Sequence, residues 1–425
     1  MKKKELILHL SYSDSKGGAS IACFRIHKSI MKEGKYLSKI LVKDHNILGE
    51  DIIPIYKSKV GILYGKVKSN LGRKIQLLQN SGNNILHSNS FFPSTLHRNL
   101  NKSKAKIIHL HWVQSDTISI KSIGKIKKPI VWTLHDSWPF CGCEHHPNYY
   151  IENRFQDGYN KNNKPKGNFG IDLDKWAWHY KVKNFKNQIY IVTPTEWMAK
   201  NVMSSKLMKN WKVKVIPNPV PDVFFKNYDI NEVRGLFNLP KNKFLILFSG
   251  YNSDKDFNKG FDLLEKILDY LDFHNKEKDI ELILIGQNKK NINLKNNIKT
   301  HFFSYISNID KLSMLYSASN LICLTSRIEA QGQIIAEAQA LGVPPIAFNT
   351  SGISENIEHK KTGLLIKPFD YQEFAESIIE IKRKPNIYNL MNKYSKEFAS
   401  LKYKSKNISS LYTNLYDMIL NKQHD

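Results

Sequence analysis

Short apolar runs that end in polar residues recur along the chain, and stretches with helical spacing fill the gaps between them. "ELILHLS" (5–11) reads as a strand, the turn "DSKGGAS" follows, and "IACFRIHKSIMKEG" reads as a helix. "KIIHLHW", "PIVWTLHD" and "IYIVTPT" are further strand-like runs. Three prolines at 217, 219 and 221 in "VIPNPVPDVFF" predict a hinge. The second half restarts the alternation: strand "FLILFSG", amphipathic helix "KGFDLLEKILDYLDF", strand "IELILIG", helix "IDKLSMLYSAS", strand "NLICLTS", a helix over 333–341 and strand "PPIAF". Short, fully apolar strands alternating with helices predict parallel sheets covered on both faces. Two such series predict an α/β chain of two Rossmann-like domains, 1–215 and 216–402, with a terminal helix at about 403–425 packing back on the first. Ligands of such sheets bind outside the carboxyl ends of the strands, so a cleft between two facing domains is expected.

Composition sharpens this. A chain of 425 residues is too long for one ordinary domain, and 41% hydrophobic with 11% aromatic residues excludes a disordered chain. The net charge of +26 is uneven. Residues 1–200 carry 33 Lys and Arg against 14 Asp and Glu, or +19, and the remainder carries 31 against 24, or +7. A basic half attracts nucleic acid, an anionic membrane surface or phosphorylated substrates. The excess is diffuse and no nucleic-acid motif accompanies it, so nucleic acid is not expected as a partner. A lysine- and asparagine-rich bias accounts equally well for much of the charge. Four cysteines, only two of them close together, make no disulfide framework and fit a reducing compartment. The first apolar run is too short for a signal peptide, and no run approaches a membrane span. The expected location is cytoplasmic, peripheral on the inner face of the cell membrane.

Several constellations carry chemistry. Gly17-Gly18 lies between a strand and a helix, where backbone N–H groups can approach a phosphate; a plain tight turn reads equally well. His109, His111 and His135 end strands, although single histidines are more often structural, and Trp132 and Trp138 are more often core than ligand platforms. "CGCEHHP" holds Cys141, Cys143, His145 and His146 without a second, distant ligand pair, so no metal site is expected there. Lys259-Gly260 opens a helix, where a lysine can neutralise a diphosphate; a solvated lysine is the plain alternative. "SRIEAQGQIIAEAQALGVPP" sets Glu329 in a loop and Glu337 inside an apolar helix, with seven residues between them. The loop backbone around Gly332-Gln333 can present N–H groups to an anion. A buried carboxylate without partners is costly, so the pattern makes sense if a polyol ligand supplies hydroxyl donors.

Here the chain resembles the retaining glycosyltransferases of family 4, which have the GT-B fold. Their E-x-F-G-x-x-x-x-E-A-x-A-x-G-x-P pattern reads "EAQGQIIAEAQALGVP" here. The likeness runs through "HLHW", "TLHD", "VIPNPV", "KGFDLL", "ILIG" and "LYSASNLICLTSR" to "SGISENIEHKKTGLLIKPFD". "TLHDSWPFCG" is similar to the subgroup that builds colanic-acid-type surface polysaccharides. The resemblance implies that Glu337 binds the donor ribose, Glu329 the donor sugar and Lys259 the diphosphate. Gly17 and Gly18 would close over the donor phosphates, His135 would stand beside the reacting sugar, and the backbone at Tyr305-Ile306 would meet the base. His135, Lys259 and Glu329 are thus the expected catalytic residues. The family often has an arginine after the glycine matching Gly250; here Tyr251 stands there, leaving the diphosphate to Lys259 or another loop lysine such as Lys255. The family aromatic is Gln331 here.

The implied reaction moves a sugar from a nucleotide-diphosphate-sugar to a hydroxyl of a glycan or lipid-linked acceptor. It retains anomeric configuration and uses neither metal nor cofactor. The rivals are a GT-B-like sugar-nucleotide epimerase and a catalytically inactive binding protein.

Overall fold

The computed structural model describes residues 4–47, 49–83, 85–147, 154–186, 189–250, 256–286 and 294–422. Two compact units result: Met1–Pro219 with Ser405–Asp425, and Val220–Lys404.

The first unit contains strands β1 (Leu6–Ser13), β2 (Leu37–Asp44), β3 (Ile52–Pro54), β4 (Gln79–Asn80), β5 (Ala105–Leu110), β6 (Ile130–Thr133), β7 (Phe169–Gly170), β8 (Tyr190–Thr193) and β9 (Val213–Val215). Its sheet runs β3-β2-β1-β5-β6-β8-β9, parallel throughout, while β4 and β7 form a separate antiparallel pair. Its helices are α1 (Gly18–Glu33), α2 (Lys59–Gln76), α3 (Leu96–Lys102), α4 (Ile120–Ile123), α5 (Arg154–Asp157), α6 (Leu173–Asn184) and α7 (Glu196–Ser204).

The second unit contains α8 (Ile230–Leu236), β10 (Phe244–Ser249), α9 (Phe261–His274), β11 (Ile280–Ile285), β12 (Thr300–Phe303), α10 (Ile309–Ser317), β13 (Leu321–Leu324), α11 (Gln333–Ala340), β14 (Pro345–Phe348), β15 (Leu364–Ile366), α12 (Tyr371–Lys382) and α13 (Pro385–Lys402). Its parallel sheet runs β12-β11-β10-β13-β14-β15. That is the 3-2-1-4-5-6 order of a dinucleotide-binding fold. Every residue of β11 is buried, as a central strand covered on both faces requires. α9 lays Phe261, Leu264, Ile267, Leu268 and Leu271 on one face and buries it.

The division falls at 219/220 rather than 215/216 for a local reason. Ile216 still donates its N–H to Thr193 of β8, at 2.9 Å. Val220 instead donates to the Tyr403 carbonyl, also at 2.9 Å, and pairs with Lys404.

The chain then returns to the first unit as α14 (Ser405–Asn421). Its Ile408, Tyr412, Leu415, Tyr416 and Ile419 join Ile7, Ile26, Ile30 and Ile107 in one buried cluster. Among the described residues, no helix is long and apolar enough to cross a membrane. Leu415→Ala should therefore destabilise the first unit by about 2–5 kcal/mol and leave the second untouched. Urea unfolding followed by hydrogen exchange measures this; equal loss of protection in both units would refute it.

Candidate functional site

In the second unit β10 and β13 are sheet neighbours, so the chain reverses its direction of growth between them. The loops leaving their carboxyl ends meet at this switch point. Gly260 has a φ of +63°, and a Cβ there would lie 2.1 Å from the Thr325 carbonyl oxygen. Thr325 Oγ1 donates toward the carbonyls of Lys259 (3.0 Å) and Gly260 (2.8 Å). The Arg327 N–H reaches Asn258 O at 2.7 Å, and its guanidinium forks onto Asp262 at 2.9 and 2.6 Å. The same guanidinium lies 3.7 Å from the Phe257 ring centroid.

This clamp brings Lys259 and Glu329 together. Lys259 Nζ donates to Glu329 Oε1 at 2.7 Å, and Ser326 Oγ donates to the same oxygen at 2.9 Å. Ser351 Oγ accepts the Glu329 N–H at 3.0 Å. The Glu329 carboxylate raises the Lys259 pKa, so the ammonium stays charged. The side chain of Lys259 remains 39% exposed.

Gly332, with a φ of +77°, turns the loop into α11, and Gln333 is the first helical residue. The N–H groups of a helix's first turn point toward this end, where they favour an anion. Glu337 lies one turn into α11 and is buried, as expected. The loop is held from beneath: a Cβ on Gly352 would lie 2.2 Å from Ala330 O, and Asn356 Nδ2 donates to the carbonyls of Gln331 (2.6 Å) and Gly352 (2.7 Å). Tyr305 and Ile306 follow β12, two strands from β10; Tyr305 is half-exposed and Ile306 packs on the core. Tyr251 and Lys255 lie outside the described residues.

In the first unit Gly17, with a φ of +83°, precedes α1 and has open space where a Cβ would point. Gly18 is the first residue of that helix. His135 follows β6, and its Nε2 bonds His111 Nδ1 at 3.1 Å. His111 Nε2 in turn bonds His9 Nδ1 at 2.9 Å. His109 stacks beside them and bonds Tyr416 OH and Thr133 Oγ1, both at 2.8 Å.

His9, His109 and His111 have ring nitrogens within 4.8 Å of one another, which raises the question of a metal. Their rings stack with only 25–34° between planes. Chelation needs in-plane lone pairs converging on one point, and both nitrogens of His109 and of His111 are already engaged. His9, His111 and His135 form a hydrogen-bonded chain, and His109 stacks beside it. Burial pushes each of these histidines down, so they are neutral and each carries one N–H. The two bonds linking His9, His111 and His135 must then run in one sense.

The side chains of "CGCEHHP" do not converge. His145 Nδ1 lies 2.6 Å from Asp136 Oδ2 and its Nε2 bonds Ser88 Oγ, while Cys143 Sγ donates to Leu173 O. Lys181 holds this turn. Its buried ammonium donates to the carbonyls of Trp138, Cys141 and Gly142, and burial lowers its pKa to about 8. Trp132 and Trp138 are fully buried core. Sequence reading missed Ser326, Ser351, Gly352, Asn356, His9 and Lys181. The polar residues after the strands in "LTSR" and "NTSG" were the available signal for Ser326, Ser351 and Gly352.

Solved structures share this fold across the chain. Sucrose-phosphate synthase of Thermosynechococcus elongatus matches 99% of this chain and all of that one, with a TM-score of 0.69 at 15% identity. HepE of Anabaena, solved with UDP-glucose, matches 97% and 99% with a TM-score of 0.63 at 15% identity. WaaG, a glycosyltransferase involved in lipopolysaccharide biosynthesis, matches 95% and 99% with a TM-score of 0.57 at 14% identity. The fold class is therefore GT-B. The model of glycosyl transferases group 1 matches residues 229–398 and that of glycosyltransferase family 4 matches 64–223. Together they span most of both units, and the chain belongs to the family-4 glycosyltransferases.

Among sequence relatives, a glycosyltransferase of Haemophilus influenzae is 31% identical over 32% of this chain and 40% of its own length. The N-acetyl-alpha-D-glucosaminyl L-malate synthase of Bacillus anthracis is 24% identical over 54% of this chain and 60% of its own length. The match thus spans less than two thirds of either relative. A 41.2 kDa protein from the cps region of Klebsiella pneumoniae is 24% identical over 80% of this chain and 86% of that protein.

The histidine column makes a pH prediction. Unfolded imidazoles titrate near 6.5, whereas burial holds His109 at about 3 and His27 and His135 at about 4. Between pH 6.5 and 4 the unfolded chain binds protons that the folded unit refuses, so stability falls as pH falls. Each such group steepens the fall by up to about 1.4 kcal/mol per pH unit. Thermal melts from pH 7 to 4.5 should show the first unit losing stability progressively; a flat midpoint would exclude neutral burial.

Proposed function

We propose that this protein transfers a sugar from a nucleoside-diphosphate-sugar to an acceptor hydroxyl, with retention of anomeric configuration and without a metal ion. The observation that carries this is the Lys259–Glu329 pair at the switch point of the second sheet. The protein relatives add support for a donor of this class, since HepE was solved with UDP-glucose. The Klebsiella cps-region relative and WaaG favour a surface polysaccharide as product, with a glycan or lipid-linked acceptor. The basic first half suits work at the inner face of the cell membrane.

The chemistry follows from charge. When the bond to the anomeric carbon breaks, the leaving diphosphate gains negative charge. Lys259 and the N–H groups at the start of α11 stabilise that charge, and one such donor contributes about 3 kcal/mol to the transition state. Glu337 accepts from ribose hydroxyls and Glu329 from the sugar. The acceptor hydroxyl attacks from the face the diphosphate leaves, within an ion pair, and passes its proton to the departing diphosphate oxygen, so no enzyme nucleophile is required. Tyr305-Ile306 serves the base, while His135 and Gly17-Gly18 serve the reacting sugar and donor phosphates.

Thermal stability with UDP, GDP or ADP, each with and without a chelator, tests this reading. A nucleotide at 100 times its dissociation constant adds about 2.7 kcal/mol. One nucleotide should raise the midpoint regardless of chelator. Lys259→Ala and Glu337→Ala should abolish the rise, whereas Glu329→Gln should keep it and lose transfer. No rise with any of the three nucleotides would leave the inactive-protein reading standing. Free altered nucleotide-sugar formed without acceptor would mark an epimerase.

A further inference from the structure

Helix α2 is inside out. Its Val60, Leu63, Tyr64, Val67 and Leu71 repeat at helical spacing, and this stripe faces solvent at 78%, 62%, 56%, 47% and 45% exposure. The inner face is made instead of Gly61, Gly65, Lys68 and Gly72. The helix backbone sits so close to the unit that side chains do not fit there. A Cβ on Gly65 would lie 2.6 Å from the Tyr56 ring, and one on Gly72 would lie 2.4 Å from Asp116 Oδ2.

Hydrogen bonds fix this orientation. Lys68 Nζ donates to Asp116 O at 3.3 Å, Ser69 Oγ to Ser115 O at 2.8 Å, and Asn89 Nδ2 to Gly72 O at 2.9 Å. The helix cannot roll its apolar side inward without breaking all three. The patch continues past the helix into Leu77 and Leu78, and the Ile171 N–H bonds Leu78 O, bringing exposed Phe169 and Ile171 alongside.

The rim is basic: Lys57, Lys59, Lys66, Arg73 and Lys74 are all exposed. No aspartate or glutamate occurs between Asp51 and Asp116. A second copy of the chain is a poor occupant, because a self-complementary contact would set these lysines against one another. A bilayer with anionic headgroups matches both features, apolar residues entering the acyl boundary and lysines meeting phosphates. The stripe from Val60 to Leu71 spans about 16 Å, a contact lying along the surface rather than crossing it.

We propose that α2, with Leu77 and Leu78, is the element by which this protein docks on an anionic lipid surface. This deepens the membrane-side location proposed above, and it is measured without nucleotide, so the two readings can fail separately.

The test is co-sedimentation with vesicles of phosphatidylcholine, with and without 30% phosphatidylglycerol, at 0.1 M and 0.5 M NaCl. The protein should partition onto the anionic vesicles at low salt and at least tenfold less at high salt. The triple variant Leu63→Ser, Val67→Ser, Leu71→Ser should bind at least tenfold more weakly. Leu236→Ser, at an exposed apolar position of the second unit, should bind like wild type. Equal binding by the triple variant, or no binding by wild type, would overturn the proposal. So would a wild-type dimer that the triple variant dissociates, since the stripe would then be a protein interface. Should the triple variant fail to fold, Tyr64→Trp replaces it: its emission should shift to the blue on anionic vesicles, and an unshifted spectrum would refute docking.

Discussion

The donor-side site depends on how closely two backbones approach. At Gly260 the chain leaving β10 comes so near the Thr325 carbonyl that no β-carbon can be accommodated. That approach lets Lys259 reach Glu329. The resulting ion pair is partly exposed, and such pairs contribute only about 0–1 kcal/mol to stability. Yet three glycines in unusual or crowded conformations, Gly260, Gly332 and Gly352, are needed to shape the loops around it. So much local constraint around a weak pair is hard to explain as stabilisation. It makes sense as preorganisation, a cation and a carboxylate held ready beside a helix N-terminus.

The first unit solves a different problem. Its central strands carry histidines where a parallel sheet ordinarily carries aliphatic residues, and a partly satisfied buried polar network is expensive. The return of α14 answers much of that cost. Tyr416 OH bonds His109, and Tyr412 OH bonds Thr133, which bonds the same histidine. The terminal helix therefore completes a polar network as well as a hydrophobic cluster. His135 ends the neighbouring His9–His111 chain, and its Nε2 is committed inward to His111.

The central strands were legible because each is an uninterrupted apolar run with a polar exit, and that exit marks the carboxyl end where ligands bind. Glu337 was legible for a related reason, since a carboxylate inside "QIIAEAQA" has no place in an ordinary apolar helix, and Glu329 stands in the polar loop before it. Asn356 was not, because it acts on Gln331 from the far side of β14, and Ser351 and Gly352, which hold Glu329 and Ala330, had only the polar exit "NTSG" to mark them. Contacts of that separation leave no periodic trace. Lys181 was hidden similarly, since its carbonyl partners lie about forty residues earlier. The domain boundary was misplaced by a few residues because proline content marks a hinge region, while the pairing of Val220 with Lys404 decides where one unit ends.

Helices α9 and α2 show why amphipathic pattern alone does not orient a helix. Both carry an apolar stripe at the same spacing. In α9 the opposite face bears Asp262, Lys266 and Asp269, which are costly to desolvate, so the apolar face turns inward. In α2 the opposite face is mostly glycine, which allows a much closer backbone approach and a set of hydrogen bonds to 115–116. Close approach and directional bonds then outweigh burial of the stripe, and the apolar residues are left on the surface. A stripe expelled in this way, on a helix rich in lysine and without a single acid, is a surface property of the first unit that neither its core nor its sheet requires.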